Sequence, residues 1–371
     1  LAERREPMVQ RVALKIIKPG MDSKSVIARF EQERQALAVM DHPNVARVFD
    51  GGVTERGRPY FVMELVRGEP VTTFADRLRM TLRQRLELFV PVCEAVQHAH
   101  TKGIIHRDLK PSNILVQEID GSPVVKVIDF GIAKALTQAE WAQTAFTQEA
   151  VVIGTPEYMS PEQVSGLADV DTRSDVYSLG VVLYELLTSE LPFDSRELRR
   201  AALVEVQRMI REITPPKPST RLMQVAQDRT TQIVMGRSTT RERLTAELRR
   251  ELDWIPLMAI RKERDRRYAS AGALAEDVLR YLDGLPLIAA PDSRVYLARK
   301  FVRRNRVQVL AGAAVFLALG AGLAAALWQA DEAARQARRA DERAIAAETA
   351  EKAEKERADQ TAERHVFEEA L

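Results

Sequence analysis

The chain has 371 residues, 55 of them Lys or Arg and 53 Asp or Glu, for a formal charge of +2. That balance excludes a bulk field that would gather nucleic acid, and 46% apolar with 29% charged residues excludes wholesale disorder. The one cysteine, Cys93, excludes an internal disulfide and any cysteine-built zinc or iron–sulfur framework.

Residues 1–290 read as one mixed α/β unit. Arg11–Ile17 is a short run rich in β-branched residues and predicts a strand; a helical segment follows from about Ser23 to Met40, and Tyr60–Val66 predicts another strand. Leu82–His100 predicts a helix, because Leu86, Phe89, Val90, Cys93 and Val96 recur at helical spacing. Cys93 therefore belongs to a core face rather than to a reactive surface. Val124–Ile128 is strand-like, and Ser174–Thr188 is apolar enough for a buried helix. Residues 195–250 are charged and helix-rich, an insertion whose purpose the sequence leaves open.

From Val307 to Ala330 no residue is charged. Twenty-two helical residues reach roughly 33 Å, enough for a hydrocarbon core of about 30 Å, so 307–328 is expected to be a transmembrane helix. Residues 294–306 carry Arg294, Arg299, Lys300, Arg303, Arg304 and Arg306 and no acid, whereas 331–371 carry twelve acidic against eight basic residues. Short basic flanks stay on the cytoplasmic side, which puts the N-terminal part in the cytoplasm and 329–371, rich in Ala, Glu and Arg, outside as a polar helical stalk. Ala314, Ala318, Gly322 and Ala326 recur every four residues, a stripe on which two membrane helices can approach closely and form a homodimer.

The chemistry is concentrated in His106-Arg107-Asp108-Leu109-Lys110-Pro111-Ser112-Asn113, followed sixteen residues on by Asp129-Phe130-Gly131. Asp108, Asn113 and Asp129 offer carboxylate and amide oxygens on neighbouring loops, with Lys110 among them. Hard cations such as Mg²⁺ take such oxygens together with substrate phosphates, and a further carboxylate can accept a hydroxyl proton. That is the inventory of phosphoryl transfer, where catalysis is mostly positioning and charge neutralisation.

On these motifs the chain resembles the eukaryotic-type (Hanks-type) Ser/Thr protein kinases, of the bacterial transmembrane kind, over most of residues 10–285. The resemblance implies an α+β, two-lobed fold with ATP and Mg²⁺ as cofactors and protein Ser/Thr hydroxyls as substrates. Asp108 would orient the substrate hydroxyl, Lys110 would steady the transferred phosphoryl group, and Asn113 and Asp129 would hold the metal ions. Val12-Ala13-Leu14-Lys15 resembles the third strand of the small lobe. Ala13 and Lys15 share a strand face, so Ala13 would cover the adenine while Lys15 reaches the phosphates and pairs with Glu33. Met63, Glu64 and Val66 would form the hinge, with Met63 guarding the back pocket, and Leu115 would lie beneath the adenine. Leu37, Val48, His106 and Phe130 match a packed stack.

Gly154-Thr155-Pro156-Glu157-Tyr158-Met159-Ser160-Pro161-Glu162 resembles the end of an activation segment. The resemblance implies a Glu162–Arg267 pair, Asp175 bracing the catalytic loop, and Thr155 beside Lys110 as the mark of a Ser/Thr enzyme. Thr137, Thr144 and Thr147 are candidate phosphorylation sites, with Thr144 or Thr147 preferred, and a phosphate there would pair with Arg107. The expected domains are a small lobe (1–66), a large lobe (67–285), a basic juxtamembrane linker (286–306), the membrane helix (307–328) and the stalk (329–371). The small lobe departs from the pattern: nothing like G-x-G-x-x-G precedes Val12, and the opening ten residues are too short for two strands. A fragment cut inside that lobe is the reading adopted. The alternative is a catalytically silent kinase-fold scaffold, against which the presence of Lys15, Glu33, Asp108, Asn113 and Asp129 counts.

Overall fold

The computed structural model describes residues 2–4, 10–16, 39–55, 57–130, 155–166 and 170–369. The chain divides into two compact units, Leu1–Tyr296 and Leu297–Leu371.

The first unit opens on an antiparallel sheet of β1 (Ala2–Arg4), β2 (Gln10–Ile16), β3 (Val48–Val53) and β4 (Pro59–Glu64), in the order β1-β2-β4-β3. The opening segment, expected to be too short for two strands, thus holds one. In β2 the two-residue period sends Val12 inward and gives Ala13 and Lys15 the opposite face. The register sets Ala13 opposite Met63 and Lys15 opposite Phe61.

A second sheet, β5 (Glu69–Pro70), β6 (Ile114–Ile119) and β7 (Ser122–Val127), lies in the larger part of this unit. The two parts are stitched where Val45 bridges Val127 in parallel and Asn44 Nδ2 donates to the Val125 carbonyl at 2.9 Å. Around the second sheet come α1 (Val71–Arg77), α2 (Leu82–Thr101), α3 (Pro161–Val164) and α4 (Thr172–Thr188). Helix α2 starts at a reciprocal cap: Gln84 N–H donates to Thr81 Oγ1, and the Gln84 side chain accepts from Thr81 N–H. Its apolar stripe of Leu86, Phe89, Cys93 and Val96 is wholly buried, and burial pushes the Cys93 thiol well above its ordinary pKa.

Helix α4 is buried along nearly its whole length, as its composition predicts, and ends at Ser189, which takes a left-handed φ of 54°. The span 195–250 folds into α5 (Ser195–Arg200), α6 (Leu203–Glu212), α7 (Pro218–Gln224), α8 (Gln227–Met235) and α9 (Arg241–Glu247), followed by α10 (Trp254–Ala259) and α11 (Ala271–Leu282). Gly180 lets α4 and α10 meet: a Cβ there would stand 2.5 Å from Ala259 Cβ and 2.8 Å from Ile260 Cγ2. Gly180→Ala is expected to destabilise the unit by about 1–3 kcal/mol through overpacking, read as a lowered denaturation midpoint; an unchanged midpoint would show that the helices separate freely.

Two arginines are buried to about 1% exposure. Arg85 donates to the carbonyls of Met80, Ala75, Leu186 and Gly236 and to Asp76. Arg237 donates to the carbonyls of Leu186, Leu187 and Ile233. Together they satisfy carbonyls that the end of α4 leaves without helical partners. Burial, with Arg85 close by, lowers the Arg237 guanidinium to about 9.

The first compact unit runs on to Tyr296, through the first residues of the expected juxtamembrane linker (286–306). Asp277 on α11 accepts from the N–H groups of Ile288 (2.6 Å) and Ala289 (2.9 Å), Leu287 is buried, and Leu287 N–H donates to Tyr296 Oη at 3.1 Å. One carboxylate thus fastens the irregular run after α11 to the core. Beyond it lie α12 (Arg294–Arg304) and the continuous α13 (Arg306–Glu369). Among the described residues, α13 is the helix long and apolar enough to cross a membrane. It contains both the expected span and most of the expected stalk.

Candidate active site

Three segments converge from the two sheets. Strand β2 supplies Lys15, the loop between α2 and β6 supplies His106 to Asn113, and the end of β7 supplies Asp129. Lys15 Nζ lies 2.9 Å from Asp129 Oδ1, both side chains about one-third exposed. Lys110 Nζ lies 2.8 Å from Asp108 Oδ2 and donates to Thr155 Oγ1 at 3.3 Å. Asn113 Nδ2 donates to the Asp108 carbonyl (2.8 Å) and to Asp108 Oδ2 (3.2 Å). With its amide nitrogen so committed, Asn113 keeps its carbonyl oxygen as the group able to meet a cation.

His106 joins the two clusters. Its Nε2 lies 3.0 Å from the Ile128 carbonyl, which can only accept, so Nε2 carries a proton; Nδ1 then accepts from Asp108 N–H at 3.3 Å. Burial lowers the imidazole pKa despite the nearby carboxylates of Asp175, Asp108 and Asp129. The ring is therefore neutral and holds a fixed tautomer. It packs on Phe130 with centroids 4.6 Å apart. Arg107 and Asp129 both adopt left-handed backbone, φ 63° and 61°, a strain that persists only where surroundings over-determine it.

Asp175 supplies that determination from inside α4. Its carboxylate accepts from the N–H groups of His106 (2.7 Å) and Arg107 (2.8 Å) and lies 2.8 Å from His100 Nε2. Burial alone would raise its pKa; the bonds from His100 and His106 outweigh it and hold the carboxyl below its ordinary value.

The segment from Thr155 is fixed to the same frame. Tyr158 Oη donates to Glu185 at 2.5 Å, and burial pushes that carboxyl up to about 7. Glu162 and Arg267 form a buried two-pronged pair at 2.8 and 2.9 Å. Arg267 also donates to the carbonyls of Arg261, Arg173 and Lys262.

The other expected residues fall as follows. Ala13 packs partly against the core, Met63 is buried and Leu115 half-buried on β6, while Val66 lies just past β4. Glu64 accepts from Lys126 (3.0 Å) and from Arg47 N–H (3.2 Å), tying β4 to β7. Glu33, Leu37, Thr137, Thr144 and Thr147 lie outside the described residues.

The profile described as the protein kinase domain matches residues 4–255. The chain belongs to the protein kinase domain family. Among curated kinases, the serine/threonine-protein kinase PknB of Mycobacterium leprae is 36% identical over 283 residues, covering 74% of this chain and 39% of that protein. The serine/threonine-protein kinase Pkn1 of Myxococcus xanthus is 39% identical over 210 residues, covering 56% and 28%. The chain thus spans 39% and 28% of the length of these two relatives. Among solved structures, Rad53 1–466 in complex with AMP-PNP is similar over 72% of this chain and 57% of that one, at a TM-score of 0.45 and 22% identity. The mixed α+β kinase fold and the likeness to bacterial Ser/Thr kinases stand as the motifs imply. Arg267 and Asp277 lie past the matched stretch but within the same compact unit.

Sequence reasoning missed two residues of this cluster. His100 closes on Asp175, and Gln163 Nε2 donates to the Arg107 carbonyl at 2.8 Å. The signal for His100 was its place in the last turn of α2, next to the loop that carries His106.

Proposed function

We propose that this chain transfers the γ-phosphate of ATP to Ser or Thr hydroxyls of proteins. The observation that carries the reading is Lys110, whose ammonium joins Asp108 to Thr155 beside the Lys15–Asp129 pair. In this mechanism the substrate hydroxyl oxygen forms a bond to the γ-phosphorus as the bond to the β,γ-bridging oxygen breaks, and ADP leaves. The hydroxyl proton passes to the Asp108 carboxylate, held in place by Lys110 and Asn113. Lys15 and Lys110 offset charge on the phosphate oxygens as it moves toward the leaving group. Among the described residues no group of three or more His, Cys, Asp or Glu side chains is arranged around a cation. Asp129 and the Asn113 amide oxygen nevertheless fit Mg²⁺, which typically binds through one or two protein oxygens plus substrate phosphates. When bound, the ion would neutralise phosphate charge.

Arg107 Nε is buried and has no hydrogen-bond partner among the described residues, which supports it as the receiver of a phosphate on Thr144 or Thr147. Hinge roles for Met63, Glu64 and Val66, adenine contacts from Ala13 and Leu115, and a Lys15–Glu33 pair belong to the same reading. So do a cytoplasmic kinase unit, a single crossing of the bacterial plasma membrane by the apolar part of α13, and a homodimer on the stripe of Ala314, Ala318, Gly322 and Ala326.

Incubation with γ-labelled ATP and Mg²⁺ is expected to place acid-stable label on Ser or Thr of a protein substrate. Chelation of divalent cations by EDTA should abolish transfer, and excess Mg²⁺ should restore it. Label found only on Tyr, or transfer indifferent to EDTA, would overturn the reading.

A further inference from the structure

The residues just ahead of the apolar run form a helix with two unlike sides. In α12, Leu297 and Phe301 are one turn apart, as are Ala298 and Val302, and Val295 joins the latter pair three residues back; these positions make one face. Val295, Leu297, Phe301 and Val302 are 77%, 51%, 58% and 47% exposed, although all are large and apolar. Arg299 and Arg303 recur on the other side, Arg304 borders Leu297, and Arg306 opens α13; all four are exposed. Lys300 is buried and plays no part in this face. No acid lies between 294 and 306, and a single residue, Asn305, separates α12 from α13.

Exposed apolar side chains need a cover. The available cover is fixed by continuity: the uncharged stretch of α13 begins at Val307, so a lipid leaflet entered there would meet α12 within one turn. Arginine-rich polar faces with Phe and Leu opposite are what interfacial helices carry, and their charge complements anionic headgroups. We propose that α12 lies in the plane of an anionic leaflet, Leu297, Phe301 and Val302 entering the headgroup boundary and Arg299, Arg303 and Arg304 pairing with lipid phosphates. This docking rests on α13 being a membrane span.

The test uses the full chain reconstituted into vesicles, with an environment-sensitive fluorophore on Phe301→Cys or, separately, on Phe316→Cys within the span. The native Cys93 is buried and stays unlabelled. In vesicles of equal parts phosphatidylcholine and phosphatidylglycerol, the label at 301 is expected to shift to the blue and to be quenched by headgroup-borne nitroxide lipid. In phosphatidylcholine alone that response should fall away, and Arg299→Gln/Arg303→Gln/Arg304→Gln should lower the docked-to-free ratio about 100-fold. A label at 301 that stays in water in anionic vesicles, while the label at 316 is quenched, would overturn the docking and leave the span intact. Equal quenching at 301 in neutral vesicles would overturn the role of headgroup charge. An unquenched label at 316 would remove the span itself and the docking with it.

Discussion

Asp108→Asn is expected to lower kcat for phosphotransfer by about 10²–10⁴-fold, the contribution of a positioned general base, while leaving nucleotide affinity within about twofold. The substitution keeps the shape of the side chain and lets its oxygen still face Lys110, which lies 2.8 Å from Oδ2. What it removes is the carboxylate able to take the hydroxyl proton. Nucleotide contacts are assigned to other residues, Lys15 and Asp129 above all, so the loss should fall on kcat and not on the KM for ATP. Initial-rate measurements on the two proteins, with ATP-analogue binding as the control, separate these quantities. A variant with unchanged kcat would mean that Asp108 neither orients nor deprotonates the substrate, and the kinase reading of the site would fail with it.

The parts of the fold that could be read in advance are those whose information is local. Helix α2 follows from a 3.6-residue apolar period, with predicted bounds of Leu82–His100 against observed Leu82–Thr101. Strand β2 (Gln10–Ile16) is likewise legible from its β-branched run. The site residues from His106 to Asp129 are legible for a different reason: they occur within one short stretch in an order that chance seldom produces. Contacts that span long sequence separations left no such trace. Charged residues are normally placed at the surface, so nothing marked Arg85 and Arg237 as the groups that collect the carbonyls at the end of α4. Nor did anything mark Asp277, one acid on α11, as the group that grips Ile288 and Ala289 and holds the chain to the compact unit that runs to Tyr296. The extent of α13 escaped for the opposite reason: a change of side-chain polarity at Ala330 does not by itself break a backbone helix, and α13 runs through it.

Arg267→Met is expected to cost about 3–5 kcal/mol of stability, because it strands Glu162 as a buried, unpaired carboxylate. Against a typical total of about 5–15 kcal/mol, that loss shows as a large drop in denaturation midpoint. Its pH dependence identifies the cause. In the wild type, burial raises the Glu162 carboxyl, but hydrogen bonding and attraction from Arg267, aided by Ser174 at 2.5 Å, more than reverse this and leave the pKa lowered. A group with a depressed folded pKa stabilises fully above its unfolded pKa and loses that contribution as pH falls through the folded value. The wild type therefore loses this part of its stability on acidification below the ordinary glutamate range. In Arg267→Met the sign reverses: burial without a partner raises the carboxyl, so lowering the pH neutralises it and relieves the penalty. The stability gap between the two proteins should accordingly narrow as pH falls. It should not vanish, since the bonds from Arg267 to the carbonyls of Arg261, Arg173 and Lys262 are lost at every pH. Adding Glu162→Gln to Arg267→Met should recover part of the loss at neutral pH, because a buried amide costs less than a buried charge. Urea unfolding at neutral and acid pH measures all three proteins, and a gap that stays constant with pH would show that the guanidinium acts through the carbonyls alone.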